Sequence, residues 1–170
     1  VNITNNIEAS NYPVRIEQKY EKQFDQNSQE MIMEQVPNTS KMVTNNEFVL
    51  RSFGYQTIFI ITACSVVFMI STIFKSSMIS MAVSVILTIF LTIGTQTIGT
   101  IRDYSHLLFT TYADSSSVIN SNLPLMYQNT NLTIVNGIIC MTLTSVIAYT
   151  ISHINFTKKR YSNLILQNYI

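Results

Sequence analysis

Apolar positions run almost unbroken through the middle of this chain. Residues 52–101 carry one charge, Lys75, which separates two apolar stretches, Ser52 to Phe74 and Ser76 to Ile101. A third apolar run, Leu132 to Ile154, is closed by the basic cluster Lys158-Lys159-Arg160. Each run is long enough for a bilayer core, which takes about 20 apolar residues in a helix. Backbone groups in that core find no water, so a spanning segment must be a helix or part of a closed barrel. IFIITACSVVFMISTIF shows none of the period-2 alternation of barrel strands. The pattern predicts three transmembrane helices at about 53–74, 77–101 and 132–154. Lys75 marks a very short turn between the first two.

The flanks are polar. Residues 1–51 hold seven of the nine acids. Within them Pro13 to Val36 reads as one amphipathic helix, with Ser10 or Asn11 as cap, Pro13 in the first turn and Pro37 at the exit. Ile16, Tyr20, Phe24, Met31 and Val36 would lie on one side. Glu17, Lys19, Glu21, Lys22 and Asp25 would lie on the other, too acidic a face for a membrane-surface helix. The connector 102–130 contains Arg102, Asp103, His106 and Asp114 beside apolar residues that never reach spanning length. It predicts short re-entrant or surface-lying helices. Residues 161–170 form a tail. The fold class expected is all-α: a polytopic helical membrane protein with an extramembrane segment at 1–51 and a three-helix region over 52–160.

Composition narrows the chemistry. Charged residues make up 11% of the 170 and the net charge is +1, which offers nothing to nucleic acid. Cys64 and Cys140 both fall in apolar runs and read as small apolar residues rather than a disulfide or metal site. No Asp, Glu, Lys or Arg lies inside a span, and His153 sits at the end of the third. Proton relays place ionisable groups at membrane depth, so this chain is not expected to pump protons. No nucleophile–base arrangement is convincing around His106. The chain is expected to be no enzyme and to hold no cofactor or metal. Asn2, Asn38, Asn131 and Asn155 open Asn-x-Ser/Thr triplets, which an Asn- and Thr-rich chain produces freely.

The spans are rich in hydroxyls: Thr57, Thr62, Ser65, Ser71 and Thr72 in the first, and a run in the second. There Ser80, Ser84, Thr88 and Thr92 recur every four residues, followed by Gln96. Such a small polar stripe would let helices approach and hydrogen-bond, or would line a path. Gln96, costly to leave in lipid, is expected to face protein or water. Positive charge sets the orientation. Lys75, Lys158, Lys159 and Arg160 anchor the inner face, with Arg51 and Arg102 near the outer ends. The C-terminus is then cytoplasmic, with residues 1–51 and the connector outside, in a plasma membrane.

From Phe53 to Arg160 the chain resembles the C-terminal half of bacterial type-2 ABC exporter permeases. Phe74-Lys75-Ser76-Ser77 is similar to the basic-Ser turn of their later hairpin. LLFTTYADSSSVINSNLP at 107–124 is similar to the loop whose short re-entrant helices precede the final crossing. Ile154-Asn155-Phe156-Thr157-Lys158-Lys159-Arg160 resembles the end of their last helix and its basic tail. The resemblance implies a membrane subunit that works by alternating access, partnered by a cytosolic ATP-binding subunit and a second permease subunit. Such permeases have twice as many crossings, so the chain is expected to be a fragment, and residues 1–51 an enlarged outer loop. The alternative is a structural or accessory subunit of a larger membrane complex such as a respiratory assembly. A small pore or holin fits less well, because of the long polar head.

Overall fold

The computed structural model describes residues 12–25, 30–74 and 76–167. It is mostly helical, and among the described residues three helices are long and apolar enough to cross a membrane. These are α1 (Asn45–Ile73), α2 (Ser77–Thr97) and α6 (Ile134–Gln167), the last apolar as far as Lys158. The protein is membrane-embedded. The positions of the three apolar runs carry over with small shifts. α1 begins well before Ser52, because Thr44 caps it: its Oγ1 accepts from Glu47 N at 3.4 Å. Glu47 adds a favourable acid to the first turn.

The region before α1 corrects the all-α expectation. Pro13 to Val36 is not a helix but strands: β1 (Pro13–Ile16), β2 (Tyr20–Asp25) and β3 (Glu30–Gln35), followed by β4 (Lys41–Thr44). β2 pairs antiparallel with β3, and β1 with β4 in the register Pro13↔Thr44 to Ile16↔Lys41. The four strands are thus two stretches of one ribbon, interrupted at 17–19 and 36–40. Apolar residues every fourth position, as at Ile16, Tyr20 and Phe24, satisfy a period of 2 as well as one of 3.6. Burial decides between them: Ile16, Gln18 and Tyr20 are buried while Arg15 and Lys19 are exposed. The proposed caps Ser10 and Asn11 lie outside the described residues.

Hydrogen bonds hold the interruption together. Val36 N donates to Lys19 O at 3.0 Å, and Thr39 Oγ1 accepts from Lys19 N at 3.1 Å. The buried Gln18 amide donates to Val36 O and Thr39 Oγ1 at 3.0 and 3.1 Å. Two residues here take a left-handed backbone, Glu17 (φ 58°) and Asn38 (φ 62°). β4 ends at Thr44 and α1 starts at Asn45, with no residue between.

α1 and α6 run parallel and pack along their length, while α2 touches α1 more lightly. The expected second span ends early: α2 stops at Thr97, and a short α3 (Gly99–Asp103) follows a break at Ile98. Two 3-10 turns (Ser105–Leu107 and Phe109–Tyr112), α4 (Ser115–Ile119) and α5 (Leu123–Tyr127) complete the connector. Short helices are expected between the last two spans, and these elements pack inward against the long helices. Their Tyr112, Val118, Ile119 and Leu123 are buried with Ile16 of β1, Tyr55 of α1, and Leu132 and Met141. The ribbon and the connector therefore share one core, at one end of the helices. Glu17 N adds a backbone bond to Ile119 O at 3.3 Å. Burying Ile16 fully stabilises this joint by about 1.5–3 kcal/mol.

Candidate functional site

The hydroxyl stripe on α2 divides. Ser80 and Ser84 are buried, whereas Thr88, Thr92 and Gln96 are exposed. Four residues advance a helix by more than a full turn, so a four-residue repeat drifts by about 40° each time and by about 160° from Ser80 to Gln96. The buried face instead passes from Ser80 and Ser84 to Gly94 and Thr95. Three of the stripe's hydroxyls bond within their own helix. Ser84 Oγ donates to Ser80 O, Thr88 Oγ1 to Ser84 O and Thr92 Oγ1 to Thr88 O, at 2.8, 2.8 and 2.9 Å. This local bonding makes the hydroxyls cheap to place in an apolar setting. Gln96, expected to face protein or water, is on the exposed surface of the chain.

The cross-helix hydrogen bonds lie elsewhere, between α1 and α6. Thr62, buried in the first span, places Oγ1 3.0 Å from Ile58 O and 3.2 Å from Met141 O, and accepts from Ser145 Oγ at 3.1 Å. One turn or so nearer the ribbon, Gly137 of α6 makes room for two aromatic rings. A Cβ there would run into the Tyr55 hydroxyl and lie 2.7 and 2.9 Å from Tyr112 Cδ1 and Cε1. Tyr112 donates its own hydroxyl to His106 O at 3.1 Å, and burial pushes its phenol pKa up. The Tyr55 hydroxyl, also buried, has no hydrogen-bond partner among the described residues. Sequence reading noted Thr62 only as one hydroxyl of many. It missed Gly137, whose one signal is being a lone glycine inside an apolar run.

The connector is organised around two side chains. Asp114 caps α4, accepting from Ser116 N and Ser117 N and from both their hydroxyls. The Ser117 hydroxyl, then that of Ser116, holds its carboxyl below the usual range. Asn129, buried, donates to Asp103 O at 3.0 Å and Ser105 Oγ at 3.2 Å, and its Oδ1 accepts from Asn131 N. His106 rests against this cluster through Nδ1, 3.2 Å from Asp103 O.

Charge concentrates where the ribbon meets α1. Glu17 bridges Lys41 at 2.8 Å and Arg51 at 3.1 Å, and Arg51 also reaches Glu47 at 2.6 Å. The Lys41 hydrogen bond, helped by both cations, lowers the Glu17 pKa against a smaller opposing effect of burial. Beside this network, between the ribbon and the start of α6, opens a cleft of about 740 Å³. Glu17, Lys19 and Glu21 are on the ribbon side, and Pro124, Leu132 and Val135 on the other.

Of the basic anchors, Lys158 is exposed on α6. Lys75 and the side chains of Lys159 and Arg160 lie outside the described residues. Among the described residues no group of three or more His, Cys, Asp or Glu could hold a metal ion. Comparison with known proteins finds no matching family model, curated relative or solved structure.

Proposed function

We propose that this chain is part of the membrane subunit of an ABC exporter, paired with a second permease subunit and driven by a separate cytosolic ATPase. The observation that carries the reading is the connector between α2 and α6. It breaks into short helices, turns back into the bundle end and buries Tyr112, Val118 and Ile119 there, instead of lying free in solvent. Together with the α1–α2 hairpin before it and the long α6 after it, this follows the order of elements that the resemblance implies.

In this reading residues 12–44 and the connector face outward in a plasma membrane, and the α1–α2 turn and the end of α6 face the cytoplasm. Most of α2 is exposed and apolar, with Met78, Ile86 and Phe90 among its exposed side chains. Thr88, Thr92 and Gln96 share that exposed surface, so partner helices or a shared path would cover them. The chain performs no bond chemistry. It supplies a wall that rearranges when the ATPase acts.

The deciding experiment reads the coding DNA and then the complex. Three further apolar spans upstream, a neighbouring ATP-binding cassette gene and co-purification of its product would support the exporter. A frame opening immediately upstream of Val1, with no ATPase in the purified complex, would overturn it in favour of an accessory subunit.

A further inference from the structure

The cleft between the ribbon and α6 has a chemistry that the transport reading does not use. Its volume, about 740 Å³, is that of a small-molecule site. Two of its charges are committed, since Glu17 and Lys41 pair with each other. Lys19 and Glu21, both exposed, have no ion-pair partner among the described residues. They are two positions apart along the chain, Lys19 in the interruption of the ribbon and Glu21 in β2. Glu21 also stands directly across from Glu34, another exposed carboxylate. Like charges facing across a strand pair are destabilising, and a cation between them removes the penalty. The lining thus offers one open cation and one carboxylate that lacks a counter-charge.

The opposite wall sets the apolar Pro124, Leu132, Ile134 and Val135 beside the hydroxyl residues Ser121, Thr130 and Thr133. Pro124 and Leu132 are buried beneath the cleft, and Val135, 64% exposed, continues that wall onto the lipid-facing start of the third span. A soluble zwitterion would leave the apolar residues of this wall unused, and a singly charged amphiphile would leave Lys19 or Glu21 uncompensated. We propose that the cleft holds the headgroup of a phosphatidylethanolamine from the surrounding bilayer, with its phosphate at Lys19, its ammonium at Glu21 and its chains along Val135. A primary ammonium is favoured over a quaternary one because the Glu21 carboxylate in the lining accepts N–H hydrogen bonds. The inference needs the chain to be membrane-embedded and is independent of the exporter reading.

The test uses the full chain purified in detergent micelles containing equal amounts of phosphatidylethanolamine, phosphatidylcholine and phosphatidylglycerol. Native mass spectrometry counts the lipids retained. The wild type should retain phosphatidylethanolamine severalfold over the other two. Lys19→Ala/Glu21→Ala should lose that preference, and so should Val135→Trp, which fills the cleft from an exposed position. Circular dichroism checks that each variant remains helical. Equal retention of the three lipids, phosphatidylglycerol retained above phosphatidylethanolamine, or an unchanged preference in both variants would overturn the proposal.

Discussion

The Tyr55 hydroxyl occupies the space that a side chain at Gly137 would need, and so the Tyr55 side chain of α1 packs directly on the α6 backbone at the ribbon end. Gly137→Ala should therefore force the helices apart. Overpacking of this kind costs about 1–3 kcal/mol, read as a lower unfolding midpoint in detergent. Tyr55→Phe should recover part of the loss, because it removes the oxygen that meets the new methyl. It should not recover all of it, since Tyr112 still crowds the site. Alone, Tyr55→Phe should be neutral or stabilising, as its hydroxyl has no partner to lose among the described residues.

Thr62→Val removes the hydroxyl that joins α1 to Met141 and Ser145 of α6 while keeping the volume. Interhelical bonds of this type in membranes contribute about 0.6–1.7 kcal/mol. The variant should lose stability in that range, while Thr57→Val, whose hydroxyl bonds only Phe53 O of its own helix, should lose less. Equal losses would mean that the cross-helix bond contributes nothing.

On α2 the divided stripe makes a sharper forecast than a continuous one. Ser84→Leu inserts bulk into a buried position and should weaken the α1–α2 contact. Thr88→Leu changes an exposed one and should leave the isolated chain as stable as before. Thermal unfolding of the two single variants separates these outcomes. A transport or assembly defect in Thr88→Leu at normal stability would then point to a partner on that surface.

Glu17 titrates below the ordinary carboxylate range, chiefly through its hydrogen bond from Lys41. A lowered folded-state pKa contributes stability above the unfolded value of about 4.3 and loses it as pH falls through the folded value. Glu17→Gln should thus be less stable than wild type at pH 7, by under about 1 kcal/mol given the partial exposure of the pair. The two proteins should converge in strong acid. A gap that persists there would assign the loss to packing or to the left-handed backbone at this residue.

Orientation is open to a direct measurement. In a chain whose Cys64 and Cys140 are replaced by Ala, a cysteine at Ser116 should label from outside intact cells. One at Ser76 should label only after permeabilisation. The reverse pattern would invert the assignment drawn from Lys75, Lys158, Lys159 and Arg160.

The spans were legible because a bilayer demands long apolar runs, and little else in a sequence has that length. The region before them was misread because Ile16, Tyr20 and Phe24 sit at a spacing shared by two periodicities. The buried Gln18, polar yet inward, was the residue that distinguished them. The shared core was invisible for another reason. Ile16, Tyr55, Tyr112, Leu123 and Met141 come from separated segments, and no local pattern announces that they meet. Equal spacing in sequence makes the stripe look continuous, but equal spacing is not equal bearing on a helix. The drift of about 40° per four residues sends its ends to different sides.

Thr44 is at once the last residue of β4 and the cap of α1. A push or twist on the ribbon outside the bilayer therefore reaches a transmembrane helix through a single peptide bond, with no slack to absorb it. Glu17 and Arg51 brace the same junction from the side. Mechanically, the ribbon is a handle joined directly to its shaft.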